Sequence, residues 1–125
     1  MRVNLGQLWN ILQNNVVEVK FARRVDKPGS PATRRMLCTN SYSLLNSNDG
    51  RITLNFRPPT HYPKYNPKTK NLIVTWDIFM QNFRTINIDS CELLVTVPAN
   101  DQFWEYFREN LAEMNQADKI NFMDQ

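Results

Sequence analysis

Along residues 5–21 the apolar positions change their period. Leu5, Leu8, Trp9 and Leu12 fall at i, i+3, i+4 and i+7, the spacing that lines one side of a helix. Asn14-Asn15 is expected to end that helix, because asparagine tolerates the left-handed cap conformation. The period then drops to two, and Val17, Val19 and Phe21 share one face of a strand.

The same alternation recurs downstream. Residues 23–31 hold the turn formers Asp26, Pro28, Gly29, Ser30 and Pro31. Residues 33–39 alternate again, with Arg35, Leu37 and Thr39 on one face and Arg34, Met36 and Cys38 on the other, so the two segments read as a hairpin. Residues 41–50 read as a polar connector with one helical turn. Residues 51–57 alternate through Ile52, Leu54 and Phe56, predicting a strand stopped by Pro58-Pro59. Residues 60–70 carry prolines and polar side chains around His61, Tyr62 and Tyr65, which predicts an exposed loop.

Two further strands are predicted at 72–76 and 82–88, joined by a turn at 77–81 that is apolar enough to pack. A tight turn at Asp89-Ser90-Cys91 leads to a closing strand at 92–97. Pro98-Ala99-Asn100-Asp101 is a helix-start signal. Phe103, Phe107, Leu111 and Met114 then predict an amphipathic helix over 101–115, with Glu105, Glu109 and Glu113 on another face. Residues 117–125 are expected either to dock or to fray.

Composition narrows the class. A chain of 125 residues suffices for one core without metal or disulfide staples, so a single domain over 1–125 is expected. No apolar run approaches the ~18–20 residues of a membrane span, and the first residues lack the pattern of a secretory signal. Cys38 and Cys91 have no Cys-x-x-Cys spacing and read as buried free thiols in a reducing cytoplasm. The net charge of +3 conceals an asymmetry: residues 1–97 carry 13 basic against 6 acidic side chains, and residues 98–125 carry 2 against 6. A basic body favours an acidic partner such as nucleic acid; the alternative is that basic and acidic parts pack against each other.

Residues 17–21, the run Arg34-Arg35-Met36-Leu37-Cys38-Thr39, Val74-Thr75-Trp76-Asp77 and Phe83-Arg84-Thr85-Ile86 together resemble the small phage-encoded Sm-like/SH3 β-barrel family related to WYL domains. The resemblance spans roughly 15–97, with the arginine before Met36 doubled relative to that family's pattern. It implies a mainly β fold: a small barrel of about five to six strands at 16–97, an N-terminal helix at 1–15 and an amphipathic helix with a tail at 98–125. It also implies a phage-encoded binding protein acting in the host cytoplasm, since related WYL domains sense nucleic acids or other ligands.

Catalytic constellations are not legible. His61 is the single histidine and no Cys/His spacing suits a metal. Asp77 reads as a turn former, Ser90-Cys91 lacks a base, and three glycines make no phosphate loop. A binding protein without cofactor is therefore expected. Arg23, Arg24, Lys27, Arg34 and Arg35 lie on opposite arms of the predicted hairpin, where they converge on a cationic surface. Tyr62, Lys64, Tyr65, Lys68 and Lys70 interleave rings with cations, a mixture that stacks bases while neutralising phosphates. The resulting expectation is DNA or RNA binding, or modulation of nucleic-acid machinery. The alternative is a host protein bound and inhibited, in takeover or anti-defence, through Trp104, Glu105, Glu109 and Glu113 or through the barrel surface. Trp104, Phe107 and Leu111 otherwise form a lid. Oligomeric state stays open.

Overall fold

The computed structural model describes residues 1–23, 32–60 and 66–124. Helix α1 (Leu5–Asn14) opens with a capping box in which Asn4 and Gln7 exchange backbone-to-side-chain hydrogen bonds of 2.8 and 2.9 Å. Leu8 and Leu12 are fully buried, while Leu5 and Trp9 pack at the edge of the same core. The expected left-handed stop is absent. Asn15 is extended (φ −139°, ψ 154°), and its side-chain amide donates to the Ile11 carbonyl at 2.9 Å. That bond satisfies an open helix carbonyl, so the chain enters the sheet without a reversing residue.

Five strands follow: β1 (Asn15–Ala22), β2 (Thr33–Thr39), β3 (Leu72–Asp77), β4 (Asn82–Asn87) and β5 (Glu92–Pro98). They form one antiparallel sheet in the order β4-β3-β2-β1-β5. The predicted β1–β2 hairpin pairs from Val16↔Thr39 to Ala22↔Thr33. The 77–81 turn and the single 3-10 turn at Ile88–Ser90 stand where the sequence places them. Between Glu18 and Val19 the β1–β5 register slips, leaving Leu94 unpaired and 39% exposed on an edge strand.

Both faces of the sheet are covered. Val17, Val19, Phe21, Met36, Ile73 and Ile86 pack against α1. Val16, Leu37 and Trp76 pack on the opposite face against Phe103 and Leu111 and against Leu44, Leu45, Leu54 and Phe56. A mainly β barrel is therefore replaced by a mixed architecture, 41% helical and 32% strand, in which β4 and β5 remain separate edges.

The predicted strand at 51–57 is also corrected. Residues 42–45 and 48–53 form α2 (Tyr42–Leu45) and α3 (Asn48–Thr53). Ser47 caps α3 by accepting the Gly50 N–H at 3.0 Å. Gly50 lies against the Leu44 and Leu45 carbonyls, where a Cβ would stand 2.2 Å from the Leu44 oxygen. Ile52 is 72% exposed, while Leu54 and Phe56 turn inward around a left-handed Asn55 (φ 55°). The apparent period of two is a helix end followed by a bend.

The C-terminal helix is interrupted as well. Asn100 caps α4 (Asp101–Tyr106), which widens into a π-helical turn at Phe107–Leu111. Asn115 then starts α5 (Gln116–Met123) with its own capping box, so the C-terminal segment docks.

Candidate functional site

Strand pairing places Arg34 and Arg35 beside Arg23, whose backbone N–H donates to the Ala32 carbonyl at 3.0 Å. Each of the three guanidiniums engages an acidic side chain of the same chain. Arg23 pairs with Asp124 at 2.9 Å, Arg34 with Asp77, and Arg35 with Glu18. The basic hairpin and the acidic C-terminal part thus pack against each other at Arg23. Arg24 and Lys27 lie outside the described residues.

Glu18 is 4% exposed because α4 covers its face of β1. Its second oxygen accepts the Tyr106 hydroxyl at 3.0 Å. Burial, followed by the charge of Glu18, pushes the Tyr106 phenol up to about 12. Asp77, 1% exposed, is a turn former: Oδ1 accepts the Phe79 and Met80 N–H groups at 3.0 and 3.1 Å. Burial raises its pKa against the opposing pull of those bonds and of Arg34. Below Asp77 the β2–β3 ladder holds only two residue pairs, Cys38↔Asp77 and Thr39↔Trp76. The last turn of α5 packs beside this short ladder: Phe122 lies 4.5 Å from the Arg35 guanidinium and 4.9 Å from the Phe79 ring, and Met123 Sδ is 3.7 Å from Arg34.

The other predicted cations and rings separate. Lys68, on a 3-10 turn at Pro67–Lys70, places its ammonium 3.7 Å above the Trp9 ring, and Lys70 is exposed on the same turn. Tyr62, Lys64 and Tyr65, like His61, lie outside the described residues. On the C-terminal helix Trp104 is half-buried, its ring 5.1 Å from Phe103 and 5.8 Å from Phe107, which makes it part of the lid. Glu105, Glu109 and Glu113 are exposed, and none forms an ion pair among the described residues.

A groove of about 470 Å³ opens between residues 57–60 and the β3–β4 turn. Its floor is the cross-strand pair Trp76↔Phe83, edge to face at 5.1 Å, with Phe56 behind both rings at 5.0 and 6.2 Å. Arg57, Gln81 and Asn82 form its polar rim, all exposed. Gln81 is held left-handed (φ 54°), a conformation that costs a non-glycine residue energy and recurs at ligand sites. Asn55 links the two walls, accepting from Arg57 at 3.5 Å and donating to Gln81 Oε1 at 3.3 Å. Asn82 Oδ1 accepts the Phe83 N–H at 2.8 Å. The Trp76 indole N–H is buried with no acceptor among the described residues. The rim oxygens are engaged, whereas side-chain amide and guanidinium N–H groups of the exposed rim stay available. Such a groove can pack a planar ring against the half-buried Phe83 and donate hydrogen bonds from its rim to an acceptor-rich or anionic group.

Sequence reading passed over this groove. Pro58-Pro59 reads there as a strand stop and Trp76 as the end of a strand. Only Gln81, in a turn where glycine or asparagine would be the easy choice, hints at it.

Cys38 and Cys91 are buried free thiols. Burial pushes Cys91 up to about 11 and Cys38 higher still, which keeps both protonated at neutral pH. Among the described residues no group of His, Cys, Asp or Glu side chains gathers as a metal site, and no helix is long and apolar enough to cross a membrane. Comparison with protein-family models, curated proteins and solved structures returns no match.

Proposed function

We propose that the protein is a non-catalytic binding module that takes an unpaired segment of nucleic acid in the groove between residues 57–60 and the β3–β4 turn. The observation that carries this reading is the half-buried Phe83 ring, backed by the buried Trp76, beneath an exposed rim of Arg57, Gln81 and Asn82. Every base has a face to stack and every nucleotide a phosphate for a guanidinium. A base inside a duplex offers neither face, so single strands are preferred. The basic excess of residues 1–97 draws such a polyanion toward the surface.

The strand order β4-β3-β2-β1-β5, the leading helix and the single turn before β5 support an opened Sm-like/SH3-like relation. On that relation the protein is a phage-encoded accessory factor of the host cytoplasm. Glu105, Glu109 and Glu113, exposed and without an ion pair among the described residues, favour a second reading, in which a basic surface of a host protein docks on the C-terminal helix.

Fluorescence polarisation with labelled 12-nucleotide single-stranded DNA and RNA, and with duplex, tests the first reading across a salt series. Saturable binding that favours single strands and weakens with salt is expected. Phe83→Ala should cost about 1–3 kcal/mol of affinity. Arg57→Ala should weaken binding and reduce the salt slope by about 0.7, one single-strand phosphate contact. Unchanged affinity in both variants, or no binding at low salt, overturns it. Capture of a basic protein that Glu105/Glu109/Glu113→Gln abolishes supports the second.

A further inference from the structure

We infer that α5 is a displaceable cover over an oxyanion site on the β1–β2 hairpin, with Asp124 standing where a ligand phosphate binds. The ligand named here rests on the nucleic-acid reading; the cover itself rests on geometry.

Helix α5 starts independently of α4, at its own Asn115 capping box, and apart from Lys119, whose ammonium lies 6.0 Å from the Phe79 ring centroid, it packs through its last turn. Met123 is its one buried residue and Phe122 is half-buried, while 116–118 are exposed and Ile120 is 45% exposed. A short helix with one anchoring turn belongs to the low-stability end of a structure and opens without global unfolding.

What that turn touches is the cationic hairpin. Phe122 lies on the Arg35 guanidinium, Met123 Sδ on Arg34, and the Asp124 carboxylate on Arg23. The contact to Arg23 is one-armed: Nη2 reaches Asp124 at 2.9 Å, while Nε is buried and has no acceptor among the described residues. A guanidinium binds an oxyanion best through two parallel N–H bonds, and Asp124 leaves one of them unmade. A phosphate can bridge Nε and Nη2 together, so it competes with Asp124 on better geometry. Arg23 and Asp124 are 26% and 43% exposed, so water already reaches the pair and the exchange needs no buried charge to move. Lifting α5 also removes the Asp124 charge from Arg23, which favours the incoming anion further.

The test uses the full-length protein labelled at its methionine methyl groups, titrated separately with a 12-nucleotide single-stranded DNA and with inorganic phosphate. Displacement is expected to shift the Met123 methyl resonance away from its packed position and to reduce amide protection over 117–123. Asp124→Asn is expected to bind the strand up to about fivefold more tightly. Arg23→Gln, added to it, should cancel that gain. A shift with phosphate alone shows that the free anion suffices, and a shift with the strand alone assigns the site to the nucleic-acid backbone; either supports the cover. Strand binding that leaves Met123 in place and is indifferent to Asp124→Asn overturns the cover while the groove reading stands. Binding by Asp124→Asn but not by the wild type supports the cover and overturns the groove. Absence of binding to strand and phosphate in both proteins overturns both.

Discussion

Glu18 shows how one residue's environment depends on layers that its own strand does not encode. In Val16-Val17-Glu18-Val19-Lys20-Phe21 it occupies the position of an outward-facing polar side chain on a half-buried strand. Because α4 packs on that face, it is buried and held by Arg35 and Tyr106. The consequence is measurable on the phenol. In an alkaline absorbance titration, the difference between wild type and Tyr106→Phe should contain one tyrosine ionising at about 12. Since that folded pKa is raised above the unfolded ~10, the stability linked to it is complete below pH 10 and is lost as pH rises through 12. Glu18→Gln should lower the phenol's pKa only part of the way, because burial is the larger cause and remains. Glu18→Ala, which strips the carboxylate from both Arg35 and Tyr106, should cost about 2–3 kcal/mol in urea denaturation.

Elements were legible where a single buried face set their period. The apolar stripe of α1, the β1–β2 hairpin, β3–β4 with its packed turn, and the Asn100 cap all follow from local spacing. Helix α3 was not, since Ile52, Leu54 and Phe56 imitate a strand and only the Gly50 contact with α2 carbonyls shows the true packing. The docking of α5 was not, because its anchors include guanidiniums on β2, with three strands of sequence between. The hairpin arginines were legible as a cluster, but their carboxylate partners were not, which is why they read as a binding surface. Their engagement makes a structural prediction. Arg34→Ala leaves Asp77, 1% exposed, without its ion-pair partner, and should lower stability by about 3 kcal/mol, or the melting midpoint by about 10 °C. Calorimetry checks this, and an unchanged midpoint would mean that Asp77 is held by the turn N–H groups alone. Loss of binding in a multiple arginine variant is therefore interpretable only beside its melting curve.

At the scale of the whole molecule, the sheet joins two cores that share the same strands. Residues Val17 and Val19 of β1 face the α1 core, and Val16 of the same strand faces the core that contains Phe103 and Leu111. Neither core can dissolve while the other keeps β1 and β2 in register, because strand pairing fixes the side-chain directions of both at once. Damage to either core should therefore be felt by the entire domain. Leu8→Ala in the first core and Phe103→Ala in the second, both at fully buried positions, should cost about 2–5 and 3–5 kcal/mol respectively. Against a domain stability of about 5–15 kcal/mol, each variant should still fold, with an earlier urea midpoint and an unaltered slope. Tryptophan fluorescence and far-ultraviolet circular dichroism should report the same midpoint, since Trp9 lies at the α1 core and Trp76 in the other. A second transition confined to one variant, or a fluorescence midpoint that departs from the dichroism, would mean that α4 and the π-helical turn melt from the sheet as a separate unit. Fraying of α5 alone would leave both midpoints in place, because Met123 is the one side chain it buries.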